Sequence, residues 1–476
     1  MPLQKLQFQP GINRETTSYS NEGGWFDCDK VRFRQGFPEK IGGWAKIGST
    51  SFLGTCRALH PWRTLSLDGY LGVGTHLKYY AEYGQGYYDI TPIRSTTSAG
   101  DVTFSASNGS STITVSDPSH GAVVNDFVTF SGAASLGGNV TAAVLNQEYQ
   151  IISITDSSTY TVQARAAGTT SSITVNGQYS PTPVVANASD SGNGGSSVIG
   201  KYQINVGLDT SVLGTGWGAG TWARGTWNSA ASVDLITDTL RIWTHDNFGE
   251  NLLINVMNGG IFYWQPSGGL TNNPAVAISS LAGANQAPTI ATKVIVSDVD
   301  RHVIAFGCDP ATNIGTQDPL LIRFSDQENI TDWNSTADNS AGSLSIGSGS
   351  KIVTAIETRQ QILVFTDISL HALQYVGPPF TFGINMISDN ITIRSPSSVA
   401  AVQDTVYWMG KSEFYIYNGG VQTLPCSVKD YVFSDFNSSQ AEKCFAAVNS
   451  SFSEVWWFYP SSSSDNNDRY VVYNYL

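Results

Sequence analysis

Charge is scarce in this chain. Only 13% of its 476 residues are Asp, Glu, Lys or Arg, well below the usual quarter. Cations are the scarcer sign, with 25 Lys and Arg against 38 Asp and Glu and a net charge of −13. That argues against tight, non-specific grasp of nucleic acid, which depends on cations at phosphates. It leaves open a protein past which DNA slides, whose surface should be neutral or acidic for the same reason. Cysteine is sparse too. The five, Cys28, Cys56, Cys308, Cys426 and Cys444, are odd in number and form neither a CxxC nor a zinc-type spacing. They read as free thiols of a chain assembled in a reducing cytoplasm. The opening MPLQKLQFQPGINRE has no signal-peptide apolar stretch, and no apolar run nears the ~18–20 residues of a membrane span. A soluble chain is expected. Sustained helical periodicity is also missing. The best helical candidate, SVKDYVFSDFNSSQAEKCF (427–445), offers one or two turns.

Turn formers and aromatics are plentiful: 47 Gly, 12 Trp, 21 Tyr and 21 Phe. Aromatics suit pleated surfaces, and Gly and Asn supply turns with positive φ. Six stretches share one grammar of apolar strand, short turn and aromatic-rich strand. They begin at Gly69 (GYLGVGTHLKYYAEYGQG), Glu250, Arg301, Gln360, Asp404 (DTVYWMGKSEFYIYNGG) and Ser453. From the second on they recur at propeller-blade spacing, roughly 45–60 residues. The first gap is longer. Between 98 and 205 the aromatic hairpins give way to Ser/Thr/Val alternation, as in SSTITVSD, DFVTFSG, EYQIISITDSSTYTVQA and SSITVNGQY, the thin strands of a small β-sandwich.

The expectation is an all-β chain: a β-propeller of about six blade-like hairpin units with an irregular N-terminal platform and an inserted small β-sandwich. The domains read as 1–97 (platform and first blade), 98–205 (insert), 206–232 (Gly/Trp-rich connecting loop) and 233–476 (remaining blades). A propeller closes its ring by pairing its ends, so the final alternating RYVVYNYL either closes on the early chain or belongs to a longer one.

Catalytic signatures are missing: no nucleophile elbow, P-loop, HExxH or EF-hand loop occurs. No enzyme, cofactor or metal is expected. The six His (60, 76, 120, 245, 302, 371) sit singly along the sequence and read as structural. Asp298 and Asp300 could be a glycosidase pair, yet with Arg301 and His302 they read more simply as a charged turn. Asp465–Asp468 reads as a hairpin turn rather than a Ca²⁺ loop. The Asn-x-Ser/Thr sequences, such as those at Asn108 and Asn329, report only abundant Asn and Ser. Trp217, Trp222 and Trp227 recur every five residues in GTGWGAGTWARGTW. Their indoles either pack on a neighbouring surface or form an array that binds glycan or a partner subunit.

Three clusters are more specific. PGINRE (10–15), KVRFRQGFPEKIGGW (30–44) and the segment from Cys56 to Ile93 resemble the opening of tail nozzle or hub proteins of short-tailed, podovirus-like phages, the tail tubular protein B and stabilisation-protein types. IRFSDQENITDWN (322–334) is similar to an S-D-x-x-N-x-x-D-W signature of the same proteins. VYWMGKSEFYIYNGGVQTLPCSVKDYVF (406–433) is similar to their late blades. These stretches cover about half of the chain. The resemblance implies a β-propeller in a hexameric ring beneath the adaptor and portal rings. That ring continues and gates the DNA channel and contacts tail fibres, the passing duplex and, at its tip, the host cell surface. It implies a virion protein made in the host cytoplasm, with no catalytic residues. Family members are often longer, which implies further C-terminal sequence. The competing reading is a receptor- or glycan-binding, adhesin-like tail component, in which the Gly/Trp loop and the insert are the active surface.

Overall fold

A strand that ends in a tight turn can only return beside itself antiparallel, and this chain does so repeatedly. The computed structural model describes residues 8–17, 19–46, 48, 50–168, 182–212 and 239–476. Six small antiparallel sheets give it the fold class of a six-bladed β-propeller. Five blades are four-stranded meanders in sequence order. Blade 1 runs through Cys56–Arg63, Gly69–Thr75, Tyr79–Tyr83 and Gly86–Asp89. Blade 2 has Trp243–Phe248, Asn251–Val256, Ile261–Trp264 and Val276–Ala277. Blade 3 has Ala291–Val296, Val303–Cys308, Leu321–Phe324 and Gly342–Ser345. Blade 4 has Ile352–Glu357, Ile362–Thr366, Leu370–Gly377 and Thr381–Ser388. Blade 5 has Val399–Val402, Thr405–Met409, Phe414–Tyr417 and Val421–Thr423. Blade 6 has only three strands, Phe445–Asn449, Glu454–Tyr459 and Arg469–Asn474. Each hairpin legible in the sequence is the second and third strand of its blade.

The chain divides into two compact units. One comprises Met1–Ser49, Thr210–Leu213 and Asn285–Leu476, and so holds blades 3 to 6. Here each core is shared between consecutive blades. Ile362 and Val364 face blade 3, where they meet Ile304, Phe306 and Phe324. Their neighbours Leu363 and Phe365 point the other way, to Val406 and Trp408 of blade 5. Blade 5 in turn gives Tyr407, Met409 and Phe414 to Val455, Trp457 and Tyr459 of blade 6. A strand buried on both faces needs an unbroken apolar run, and ILVF (362–365) supplies one. The region 427–445 forms one helical turn and more, Lys429–Ser434, followed by a 3₁₀ segment at Ser438–Lys443.

The other unit comprises Thr50–Asp209 and Gly214–Ala284. Blades 1 and 2 bury Trp62, Tyr79 and Ala81 against Trp243, Leu252, Ile254 and Trp264. The approach is close: a Cβ on Gly74 would lie 2.5 Å from Trp243 Cδ1, and the Trp243 Nε1–H donates to Thr75 O at 2.7 Å.

The same unit contains the insert, whose two halves share a strand and pack on one another as the layers of a small sandwich do. It is one seven-stranded sheet in the order Ile93–Thr96, Ile199–Gln203, Phe127–Ser131, Glu148–Asp156, Thr159–Gln163, Thr112–Ser116, Thr103–Ala106. The long Glu148–Asp156 strand has two register shifts, and bulges bend a strand. The sheet therefore folds over on itself. Phe104 meets Phe130 edge-on at 5.0 Å, and the Tyr160 and Tyr202 hydroxyls lie 2.6 Å apart. Those contacts close a separate core of Val102, Phe104, Ile113, Phe130, Tyr149, Ile151 and Tyr160. The SSITVNGQY stretch expected as a further strand lies outside the described residues.

Blade 1 and the insert share a buried ionic knot. Lys78 Nζ sits 2.5 Å from Asp89 Oδ2 and 2.7 Å from Glu148 Oε2, and Gln203 Nε2–H donates to Asp89 Oδ2 at 2.9 Å. Burial works against the ammonium, but the carboxylates of Asp89 and Glu148 outweigh it and hold its pKa above the ordinary lysine value.

Candidate interaction surface

The sequence singled out the N-terminal clusters, and the structure shows how they are held. Ile12 bridges to Trp25. The Asn13 side chain accepts the Glu15 and Thr16 amides at 3.1 and 3.3 Å. Arg14 pairs with Asp27 at 2.6 Å while its guanidinium lies over the Tyr431 ring at 3.9 Å. The Ser427 hydroxyl donates to Ile12 O, and the Lys429 amide donates to the Glu15 carboxylate. PGINRE thus clasps the helical turn before blade 6.

KVRFRQGFPEK forms the hairpin Val31–Arg34/Phe37–Lys40. Its two turn residues, Gln35 and Gly36, both have positive φ, 50° and 86°, the backbone that a two-residue hairpin loop demands. Arg32 reaches Glu454 at 3.1 Å and stacks on Phe452 at 3.4 Å. Glu454 is only 2% exposed and also accepts the Trp456 Nε1–H. Lys30 N donates to the Tyr470 hydroxyl at 3.1 Å. Arg32 therefore tethers the platform to the last blade and Arg14 holds it against the turn before that blade; charge-assisted, partly buried contacts such as Arg32–Glu454 are the strong ones.

Once tethered, the platform leaves large apolar side chains in water: Trp44 at 93% exposure, Tyr19 at 92% and Phe37 at 75%. The sequence reading treated this segment as polar and irregular and missed them. Their signal was an aromatic directly beside Gly or Ser in each of three turn-rich stretches. The other unit exposes Leu65 and Leu67 in the blade 1 turn, and blade 4 exposes Val376 and Phe380 at its hairpin tip. Trp217, Trp222 and Trp227 lie outside the described residues.

The remaining sequence candidates are parts of the scaffold. Asp298 and Asp300 occupy the turn between two strands of blade 3. Asp298 is exposed and its amide donates to Glu357 Oε1, while Asp300 is buried beside Ser297. Asp468 accepts the amide and hydroxyl of Ser461 at 2.7 and 2.8 Å, closing the blade 6 hairpin. In SDQENITDWN, Asp326 accepts the amide and hydroxyl of Ser340, Asn329 accepts the Thr331 amide, and the buried Trp333 donates to Ile330 O. The signature shapes a loop. Beneath it the buried Arg323 donates to the main-chain carbonyls of Asp309 and Gln286. Every His has a hydrogen-bond partner. Burial lowers the pKa of His302 and His371. Two of them are not solitary in space: the His60 and His245 rings meet at a tilt of 39° with centroids 4.6 Å apart, across blades 1 and 2. The five cysteines are unpaired. Among the described residues no cluster of His, Cys, Asp or Glu could hold a metal ion, and no helix is long and apolar enough to cross a membrane.

No family model matches the chain, and no curated protein matches it. Solved structures with similarity include an endosialidase of phage phi92 (11% identity, 86% of this chain and 51% of that one, TM-score 0.22). Hsv2 of Kluyveromyces lactis matches at 8% identity over 48% of this chain and 61% of its own, with TM-score 0.26. PorZ of Porphyromonas gingivalis, a surface component of the type-IX secretion system, matches at 10% identity over 93% and 49%, with TM-score 0.33. The chain spans about half the length of the endosialidase and PorZ chains.

Proposed function

We propose that this chain is a structural subunit of a phage tail, of the nozzle or hub type, which assembles into a ring around the path of the outgoing DNA. The observation that carries the reading is the platform. The residues that resemble the nozzle family, PGINRE and KVRFRQGFPEK, are spent on anchoring a segment whose Tyr19, Phe37 and Trp44 remain in water. Exposed aromatics on an anchored segment suit a subunit contact, where Tyr, Trp and Phe are enriched. The acidic balance suits a conduit: six copies would carry −78, six times −13, and would not hold a duplex through counterion release. Partners in this reading are neighbouring copies, an adaptor ring and tail fibres.

The test is assembly. Cross-linking of purified virions should yield six copies per tail, and simultaneous Tyr19→Ser, Phe37→Ser and Trp44→Ser substitution should leave the chain folded but absent from tails. A trimer or single copy, or normal incorporation of the triple variant, overturns the reading. Tight, salt-sensitive duplex binding at ~50 mM salt would overturn the passive conduit.

A further inference from the structure

The compact unit that contains the platform carries a second apolar patch, and the two are opposite in charge. Between Asp367 and Asp389 no Asp, Glu, Lys or Arg intervenes. At the tip of that uncharged hairpin Tyr375, Val376 and Phe380 face water, Phe380 at 76% exposure. The tip is braced. The Thr381 hydroxyl donates to Ser340 O at 3.0 Å, and the Tyr375 ring centroid lies 6.1 Å from that of His302. The blade 3 loops join the same surface. The Gln327 amide donates to Ser340 Oγ, the Glu328 amide donates to Arg301 O, and Arg301 pairs with Glu328 at 3.1 Å. Beside them Val299 is 76% exposed, and the Asp298 amide donates to Glu357 Oε1. Residues 297–302, 325–340, 357–361 and 374–382 thus make one end of blades 3 and 4. They hold seven acidic residues against two cations, a net −5, and Asp298, Glu328 and Asp338 among them are exposed.

The platform has the inverse character. Residues 30–46 hold five cations and one acid, a net +4, in a chain of net −13. Lys30, Arg34, Lys40 and Lys46 are exposed there together with Phe37 and Trp44. Arg32 ties this stretch to blade 6, with blade 5 packed between it and blade 4. The exposure of both patches means that neither covers the other within one copy. We propose that the platform stretch 30–46 of one copy docks on the acidic end of blades 3 and 4 of the next, with Phe37 and Trp44 against Val299 and Phe380 and the lysines facing Asp298 and Asp338. Charge names the occupant. Each copy brings a cationic aromatic segment and its acidic, apolar complement, and opposite fields across an interface favour the matching partner and reject a like-charged one. Aromatic anchors inside a polar rim are the usual interface anatomy. Two different patches make a heterologous contact, which runs head to tail and closes into a ring when its rotation allows. The contact rests on the reading of the platform as a subunit interface and adds the surface that receives it.

Photo-cross-linking from benzoylphenylalanine in place of Phe37 is the test. Isotopically light and heavy chains are mixed at ~100 μM, irradiated and digested, and virions with the same substitution are irradiated alongside. Adducts that join light to heavy chains are expected at 297–302 or 374–382. Lys40→Glu/Lys46→Glu should lower their yield ~10-fold, and Asp298→Lys/Asp338→Lys in the same chain should restore it. The adduct map needs no charge variant, so a variant that fails to fold leaves the test intact. Adducts within single copies, on other segments, on another tail protein or on DNA overturn the contact. So do their absence from both preparations and a yield indifferent to the charge reversals. If tails hold six copies but the adducts map elsewhere, the ring stands and this contact falls. If adducts form at the acidic end in solution while the chain is missing from tails, the contact stands and the tail reading falls.

Discussion

The blades and the insert solve the same problem in opposite ways. A blade is a thin meander whose neighbours in space are its neighbours in sequence, yet no blade owns a core. Phe365 needs Trp408 of the next blade, and Phe306 needs Ile362. The insert has scrambled strand order and a core entirely its own. Local pairing thus goes with shared burial, and long-range pairing with self-sufficiency. Cooperativity should follow the cores rather than the sheets.

The largest effect should come from a shared core. Trp408, fully buried between blades 4 and 5, is expected to cost ~3–5 kcal/mol as Trp408→Ala. Urea unfolding followed by signals from blades 3 to 6 should shift as one transition. Independent blade transitions would break the comparison. Phe130→Ala in the insert should cost a similar ~3–5 kcal/mol but leave the transition of blades 3 to 6 in place. Protease mapping at the transition checks this, with cuts expected inside 98–200 first.

At the junction the Lys78 knot sets a pH dependence. Burial alone would raise the Asp89 pKa, but the Lys78 ammonium and hydrogen bonds from Lys78, Thr91 and Gln203 lower it overall. A carboxylate depressed on folding adds stability above its unfolded pKa of ~3.9. That contribution is lost as pH falls through the folded value. Thermal unfolding of the wild type should therefore weaken more steeply below ~pH 4 than that of Lys78→Met/Asp89→Leu/Glu148→Leu. Equal slopes would mean the knot is not the source. The smallest effect belongs to the platform: Gly36→Ala meets no neighbour but must keep φ near 86°, a cost of ~1 kcal/mol. Fraying of the hairpin, seen as faster amide exchange at Val31–Arg34, is the readout.

What the sequence disclosed follows the same division. The second strands were legible because burial on both faces makes them apolar runs, as in HVIAF and VYWM, and the third because Tyr, Phe or Trp recur in them after a short turn. The first and fourth strands were not. Val276–Ala277 and Val421–Thr423 are too short and too exposed to differ from a turn. The insert's Thr/Val alternation announced strands, but nothing local announces that Glu148–Asp156 belongs to both halves of a folded sheet. His60 and His245 looked solitary because their encounter spans two blades. The platform aromatics were overlooked because exposure leaves no periodicity to detect.

The insert leaves and rejoins the blade at one point: Ile204 N donates to Pro92 O at 2.9 Å. This has a consequence during synthesis. Trp62 and Tyr79 are made early, but their partners Trp243 and Trp264 follow only after the detour. At ~5–20 residues per second, the roughly 150 residues between Ile90 and Trp243 take about 8–30 s. For that interval the aromatic flank of the first blade has no mate on the ribosome, while the detour itself can already be folded. The emerging chain is thus most vulnerable to holdases and to misassociation at its oldest blade, and shortening the detour would shorten that exposure.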